Sequence, residues 1–359
     1  MRTWTSLLIL GALLACDSDG TASGESGIDA PTSSSDPAVS TTSGEPDASS
    51  TSTGASTGAS TDPTNDPTDD SEDDGPEPPV NFDFGAVPDF GEFNDGCNAV
   101  DFLFVIDNSG SMFSAQNNLI ANFPAFIDGI QATLTDVESY HVGVITTDDH
   151  NSFTPSNPPE CRQLGALVTS TAGFDSSNAV CGPYTEGFNF ITEQDDLSTS
   201  FECAAQVGTS GAGFELTMNA MEAAISDDLN AEGACNEGFI RDEALLVVVV
   251  ITDESDGPGD SEGPPPASST GDSMSWYESV VAAKNDTPEN AAALVLTNYD
   301  GGPCPPTATW EDGVNIVDFA ELFGENGFTA GICQPDYGPA FANATAVIEQ
   351  ACENFIPPG

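Results

Sequence analysis

The sequence predicts an α/β domain: a doubly wound, mostly parallel central sheet flanked by helices, preceded by a disordered linker. Three observations predict it. The runs 100–107 and 244–252 are apolar at nearly every position, as strands buried on both faces of a parallel sheet are. Between such runs lie stretches with apolar residues three and four apart, the spacing of a helix that covers a sheet. Strand and helix signals then alternate from Cys97 to the C-terminal region, the pattern of repeated βαβ units.

Residues 1–15 read as an export signal, with Arg2 as the basic start and an apolar core at 7–14 too short for a mature membrane span. Residues 16–79 are rich in Ser, Thr, Gly, Pro and Asp and nearly free of apolar residues, so they cannot build a core and read as a disordered linker. As a random coil of about 60 residues it would reach about 45 Å, and charge repulsion would extend it further. Residues 80–96 carry Phe82, Phe84, Phe90 and Phe93, and are expected to pack on the domain that occupies 97–355.

In that domain, 100–107 is strand one. The helix after it places Leu119, Ile120, Phe123, Ile127, Ile130 and Leu134 on one side, with a kink or restart expected at Pro124. Residues 140–146 are strand two, and 148–196 are loop-rich with a possible short strand at 164–169. The glycine-rich stretch 208–213 is expected to open a helix with Phe214, Met218, Met221 and Ile225 inward. Residues 244–252 are the central strand, with a Gly/Pro/Ser loop after it at 257–272 and a helix at 274–285. A strand at 291–299, a helix at 316–323, an edge strand at 328–332 and a closing helix at 340–352 complete the domain.

Composition narrows the function. Of 359 residues, 59 are Asp or Glu and only 4 are Lys or Arg, a formal net charge of -55. From Cys97 onward there are 40 acids and three bases, Arg162, Arg241 and Lys284, so the folded part is itself acidic. A basic groove for nucleic acid is excluded, and such a surface attracts cations. The nine cysteines include no Cys-x-x-Cys pair, and the only histidines are His141 and His150, which argues against a zinc site. Without Cys16, eight cysteines remain, and in an exported chain they read as four disulfides. Domain termini tend to lie close together, which favours Cys97–Cys352. The local pairs Cys161–Cys181 and Cys304–Cys333, with Cys203–Cys235, complete the expected set.

The chemistry-bearing motif is Asp107-Asn-Ser109-Gly-Ser111 at the end of strand one. A carboxylate and two hydroxyls leave the carboxyl end of a buried strand, where open α/β sheets bind ligands. All are hard oxygen donors, suited to Mg²⁺, Mn²⁺ or Ca²⁺. The glycine-rich loop lacks the Gly-Lys-Ser/Thr ending of a phosphate cradle. Asp148 and Asp149 read as a solvated turn rather than a second cation site, and Glu254 and Asp256 as a solvated acidic rim.

With these residues in view, 97–355 resembles a von Willebrand factor type A domain. That family's metal-ion-dependent adhesion site matches Asp107, Ser109 and Ser111, then Thr209 in the Gly-Thr loop, then Asp253 after 249–252. The resemblance implies a Rossmann-like fold and a cation, Mg²⁺ or else Mn²⁺ or Ca²⁺, held by these five residues. It also implies a partner protein or acidic surface ligand that supplies a carboxylate to the metal. The stretch 238–254 is similar to that of bacterial lipoproteins with this domain, and the linker composition to that of myxobacterial surface lipoproteins. Leu13-Leu14-Ala15-Cys16 resembles a lipobox, which implies lipidation of Cys16 and contact with the membrane through that lipid only.

The leading expectation is therefore a lipid-anchored, metal-dependent adhesion module of the cell envelope, at the outer membrane or cell surface, and not an enzyme. The alternatives are a structural envelope protein with a vestigial site, or a metal-assisted hydrolase in which only Glu254 or Asp256 could serve as base.

Overall fold

The structure is a computed structural model that describes residues 96–133, 137–148, 158, 161–213, 215–257, 268–304 and 312–359. The export signal, Cys16, the linker and the 80–96 segment apart from Gly96 lie outside the described residues, as do Leu134, Asp149 and Phe214.

The domain is a mixed α/β fold. Its strands are β1 (Ala99–Ile106), β2 (Ser139–Thr146), β3 (Ile191–Thr192), β4 (Leu245–Ile251), β5 (Ala291–Thr297) and β6 (Gly327–Gly331). They form one sheet in the order β3-β2-β1-β4-β5-β6, parallel throughout except for antiparallel β3 at one edge. β1, β4 and β5 are buried along their whole length. Their side chains alternate between two cores, as the strand repeat of two demands. Phe102, Phe104 and Ile106 of β1 face one core, and Leu103 and Val105 the other.

The first core is closed by α1 (Phe113–Thr133), α2 (Leu197–Ala205) and α7 (Gly338–Glu353). There Phe104, Phe123, Phe126 and Phe201 meet edge-on or stacked. The second is closed by α3 (Thr217–Ala224), α5 (Ser273–Ala282) and α6 (Val314–Glu321) around Trp276 and Phe319, with the short α4 (Asp227–Asn230) beside α3. Asp272 caps α5 in a reciprocal box with Ser275, and Asp196 caps α2 through the Thr199 N–H.

Several expectations need correction. Pro124 does not restart its helix: α1 is one continuous helix, and Pro124 lies on its exposed side. The stretch 164–169 is not a strand. It makes one backbone bond to β2, from Val168 N to Val144 O, because Gly165, at φ +80°, turns the chain just before it. The β2 edge is taken instead by Ile191–Thr192. The glycine-rich stretch does not open a helix directly; it packs as a loop against the end of β1, and α3 begins only at Thr217.

Four disulfides are present: Cys97–Cys352, Cys304–Cys333, Cys161–Cys235 and Cys181–Cys203. The first two pairings match the expectation. The expected Cys161–Cys181 and Cys203–Cys235 are replaced by the crossed arrangement. Cys161 packs in a small cluster with Leu229 and Cys235 at α4. Cys181 is carried to α2, where Ser177 Oγ donates to the Cys203 carbonyl at 2.9 Å.

The N-terminal end of the sheet holds most of the domain's positive charge. Asp101, buried in β1, accepts Arg241 Nε at 2.8 Å, Nη2 at 2.6 Å and its backbone N–H at 2.8 Å. Lys284, also buried, donates to the carbonyls of Arg241 and Asp242. Burial pushes the Asp101 carboxyl up to about 6 even with Arg241 beside it.

Digestion of the unreduced chain with an acid-residue-specific protease should recover Cys161 linked to Cys235 and Cys181 linked to Cys203. A Cys161–Cys181 peptide would overturn the chain path described for 161–203.

Candidate metal centre

β1 and β4 lie side by side, and their outgoing connections diverge, one toward β2 and the other toward β5. The crevice beyond their carboxyl ends is the topological switch point of the sheet, where this class of fold binds ligands. The register pairs Ile106 with Ile251, and Asp107 N donates to Ile251 O at 3.0 Å, so Asp107 and the Thr252-Asp253 pair emerge together.

Asp107 is fully buried. Its Oδ1 accepts the Ser109 N–H at 2.7 Å, and its Oδ2 accepts the Thr252 hydroxyl at 2.7 Å. The Ser109 and Ser111 hydroxyls lie 3.0 Å apart, and Ser111 Oγ donates to Asp253 Oδ1 at 3.1 Å. Four of the five expected site residues are thus joined in one network. Asp253 Oδ2 is buried and has no partner among the described residues.

Thr209 stands apart from that network. Its hydroxyl donates to Asp175 Oδ2 at 3.0 Å, and its N–H to Phe174 O at 2.8 Å. Its loop is nevertheless fastened to the Asp107 loop. Gln116, buried in the first turn of α1, donates to the carbonyls of Asp107 at 2.9 Å and Gly208 at 2.7 Å, and accepts Gly208 N at 3.0 Å. Gly211 N donates to Asn108 O at 2.8 Å. A side chain at Gly211 would collide with Asn108, and Gly208 sits at φ +87°, so the glycines serve this close backbone approach. Leu216 N is held by Thr147 O at 3.1 Å, and the chain becomes helical only after it.

The neighbouring acids differ from a solvated fringe. Asp148 accepts Thr146 Oγ1 at 3.1 Å, with Asn108 Nδ2 and Ala212 N each at 3.3 Å, and so ties three segments together. Asp256 corrects the rim reading: it is buried and accepts Met218 N at 2.8 Å, at the start of α3, and Ser269 N at 2.6 Å. Glu254 is half-buried rather than free in solvent, and faces the buried Glu215.

Burial makes these groups resist charge. Asp107 is pushed up to about 6 by burial, despite the donors from Ser109 and Thr252. Burial, then the charge of Asp107, pushes Asp253 up to about 7. Glu215 is pushed to about 11 by burial and by the carboxyl of Glu254. Among the described residues no three carboxylate, imidazole or thiol groups close into a cage. The acids come as two pairs, Asp107 with Asp253 and Glu215 with Glu254, and a cation here would draw on hydroxyl oxygens as well. The donor set is all hard oxygen, and the unpartnered Asp253 Oδ2 gives a cation a place to bind, so the residues fit Mg²⁺, Mn²⁺ or Ca²⁺.

Sequence reasoning missed Gln116, Thr252, Asp175 and Glu215. Gln116 did leave a signal, as a polar residue in a helical stripe otherwise formed by Met112, Ala115, Leu119 and Phe123.

No family model and no curated protein matches the chain. Among solved structures it is similar to proximal thread matrix protein 1 from the mussel byssus, at 10% identity and a TM-score of 0.35. The match covers 71% of this chain and 48% of that one, so the chain spans about half the length of that protein. No helix among the described residues is long and apolar enough to cross a membrane.

This geometry has two measurable consequences. The folded-state values of Asp107 and Asp253 lie above the ordinary 3.8, so the native chain holds more protons than the unfolded chain between about pH 4 and 7. Stability in chelator should therefore fall as pH rises through that window. Asp107→Asn should flatten the fall by on the order of 1–3 kcal/mol. Thermal melts at stepped pH check this, and equal slopes in both proteins would refute it. Gln116→Ala should lower stability by about 1–3 kcal/mol, because it strands the groups it bridges. It should also weaken any cation binding without removing a ligand. A melt and a metal titration on one preparation test both.

Proposed function

We propose that the chain is a divalent-cation-dependent binding module, a von Willebrand factor type A-like domain tethered at the cell envelope. In this reading Asp107, Ser109, Ser111, Thr209 and Asp253 hold Mg²⁺, Mn²⁺ or Ca²⁺. The ion's remaining position takes a carboxylate from a partner protein or acidic surface ligand. The observation that carries the reading is the joined set Asp107, Ser109, Ser111 and Asp253 at the switch point, with Asp253 Oδ2 buried and unpartnered. Asp107 and Asp253 bring at most two negative charges and the hydroxyls none, so the ion stays electrophilic toward an acidic partner.

Thr209 joins through its lone pairs. A hydroxyl that gives its proton to Asp175 keeps its oxygen free to face a cation. Phe113, two residues after Ser111, and Phe174, bonded through its backbone to Thr209 and Ser210, are both largely exposed. They offer apolar contact beside the ion, as a protein partner would use. Four disulfides support an oxidising compartment outside the cytosol. The export signal and the lipobox-like Cys16 supply the tether in this reading.

Calorimetric titration of Mg²⁺, Mn²⁺ and Ca²⁺ into the purified full chain should show about one ion bound. Asp107→Ala should abolish that binding and leave the disulfide-bonded fold intact. Equal weak binding to both proteins would mean that cations merely screen an acidic surface, and the adhesion reading would fail.

A further inference from the structure

Two loops meet beside the centre, and one carboxylate crosses between them. The loop 173–178 closes on itself through Ser176 and Asn178. Asn178 Nδ2 donates to the carbonyls of Gly173 at 3.2 Å and Ser176 at 3.0 Å, and Ser176 Oγ donates to Gly173 O at 3.1 Å. The Asp175 carboxylate takes no part in this closure. Among the described residues its one hydrogen bond comes from Thr209 Oγ1 at 3.0 Å, 34 residues away in sequence. Asp175 makes that bond at φ +60°, a left-handed backbone uncommon outside glycine. A residue keeps such a conformation where its surroundings fix it, and here they do. Ser177 N donates to Gln206 O at 3.0 Å, Ser177 Oγ to Cys203 O at 2.9 Å, and Gln206 Nε2 to Asp175 O at 3.1 Å. The end of α2 that takes part in these bonds is joined to Cys181 by the Cys181–Cys203 bridge.

The Thr209 loop presses on the same segment. Thr209 N donates to Phe174 O at 2.8 Å and Phe174 N to Ser210 Oγ at 2.7 Å, and a side chain at Gly208 would collide with Phe174 O and Ser176. Gln116 bonds the same loop to the Asp107 carbonyl through Gly208, and Gly211 N bonds it to Asn108 O. Thr209 is therefore held between the Asp107 loop and Asp175, with its one hydroxyl proton directed at Asp175. A hydroxyl binds a cation through a lone pair, and a proton turned toward the ion would oppose it. An acceptor that keeps the proton sets the useful orientation before an ion arrives, as the outer partners of metal ligands do.

We propose that Asp175 is a positioning residue of the centre at Asp107: it holds the Thr209 hydroxyl with its lone pairs available to the cation and is not itself a ligand. The inference rests on the metal-centre reading and deepens it. The charge brought to the ion stays that of Asp107 and Asp253 alone.

The test titrates Mn²⁺ and Ca²⁺ into the full chain, into Asp107→Ala, Asp175→Asn, Asp175→Gly and Thr209→Ala, and into the double variant that combines Asp175→Gly with Thr209→Ala. Each protein is also melted in chelator. Glycine takes φ +60° without strain, so Asp175→Gly removes the acceptor and spares the backbone. Asparagine tolerates the same backbone and keeps an acceptor oxygen. Asp175→Gly should weaken cation binding about tenfold or more, the order seen when the outer partner of a metal ligand is lost. Asp175→Asn should stay within about threefold of the parent, because a neutral acceptor is weaker but still present. Once Thr209 is alanine, Asp175→Gly should have no further effect, since it acts through that hydroxyl. Both Asp175 variants should melt close to the parent in chelator. Parent-like affinity in Asp175→Gly overturns the inference. So does an Asp175→Asn as weak as Asp175→Gly, which marks a charge effect, or an undiminished effect of Asp175→Gly beside Thr209→Ala, which marks a route that bypasses Thr209. An Asp175→Gly that fails to fold or melts well below the parent overturns it too, by marking a structural role. If Asp107→Ala abolishes binding while Thr209→Ala keeps it, the centre stands without Thr209 and this inference alone fails. If the parent and Asp107→Ala bind alike, the centre itself falls, and this inference with it.

Discussion

Charge balance constrains this domain more than any other factor. From Cys97 onward it has three basic residues for 40 acids. Two of the three, Arg241 and Lys284, are fixed at the N-terminal end of the sheet, where Arg241 meets Asp101 and Lys284 meets two carbonyls. At the carboxyl end Asp107 is buried just as completely, with a backbone N–H and a hydroxyl as its donors. The sheet is therefore polarised. One end supplies its own cation to its buried acid; the other gathers acids whose charge the protein leaves largely uncompensated. In the proposed reading, an ion from solution would complete the second end in the way Arg241 completes the first.

The sheet was legible because its physics is local to each strand. β1, β4 and β5 are buried on both faces, so an unbroken apolar run marks them with no help from partners. β3 has two residues and exists because the β2 edge is open beside it, a tertiary fact that no short window contains. α2 and α4 are short and start at single caps, Asp196 and Ser226, and a lone Asp or Ser marks a turn as readily as a helix start until its neighbours in space are known. Pro124 misled for the opposite reason. A strong local rule yielded to a position on the solvent side of a long helix.

The cysteines divide along the same line. Their even number, once Cys16 is set aside, was readable, and so were the two pairs fixed by the closeness of the termini and by short separation. Cys161 and Cys181 are near in sequence, but the chain between them turns through Gly165 and Gly173 and delivers them to α4 and α2. Cys181–Cys203 thereby acts on the site. Ser177 donates to the Cys203 carbonyl, and Gln206 donates to the Asp175 carbonyl at 3.1 Å, so the loop that meets Thr209 is braced on the covalently tied end of α2. The Thr209 loop is clamped from its other side by Gln116. Both neighbours of that loop are thus tied by hydrogen bonds, one of them also by a disulfide.

The motif residues of the centre were legible because carboxylates and hydroxyls at the end of an apolar run carry their chemistry in the sequence. Glu215 was not, since an acid ahead of a helix is ordinarily a favourable charge at the helix N-terminus. Its surroundings remove that explanation. The Leu216 N–H is bonded to Thr147 O, and the Met218 N–H to Asp256. Ser269 N, the other donor at this corner, also serves Asp256. Each of these N–H groups is already engaged, and Glu215 does not act as their cap. Asp256 and Glu215 differ in environment rather than chemistry: one carboxylate received donors at that corner, and the other is buried with both oxygens unpartnered among the described residues.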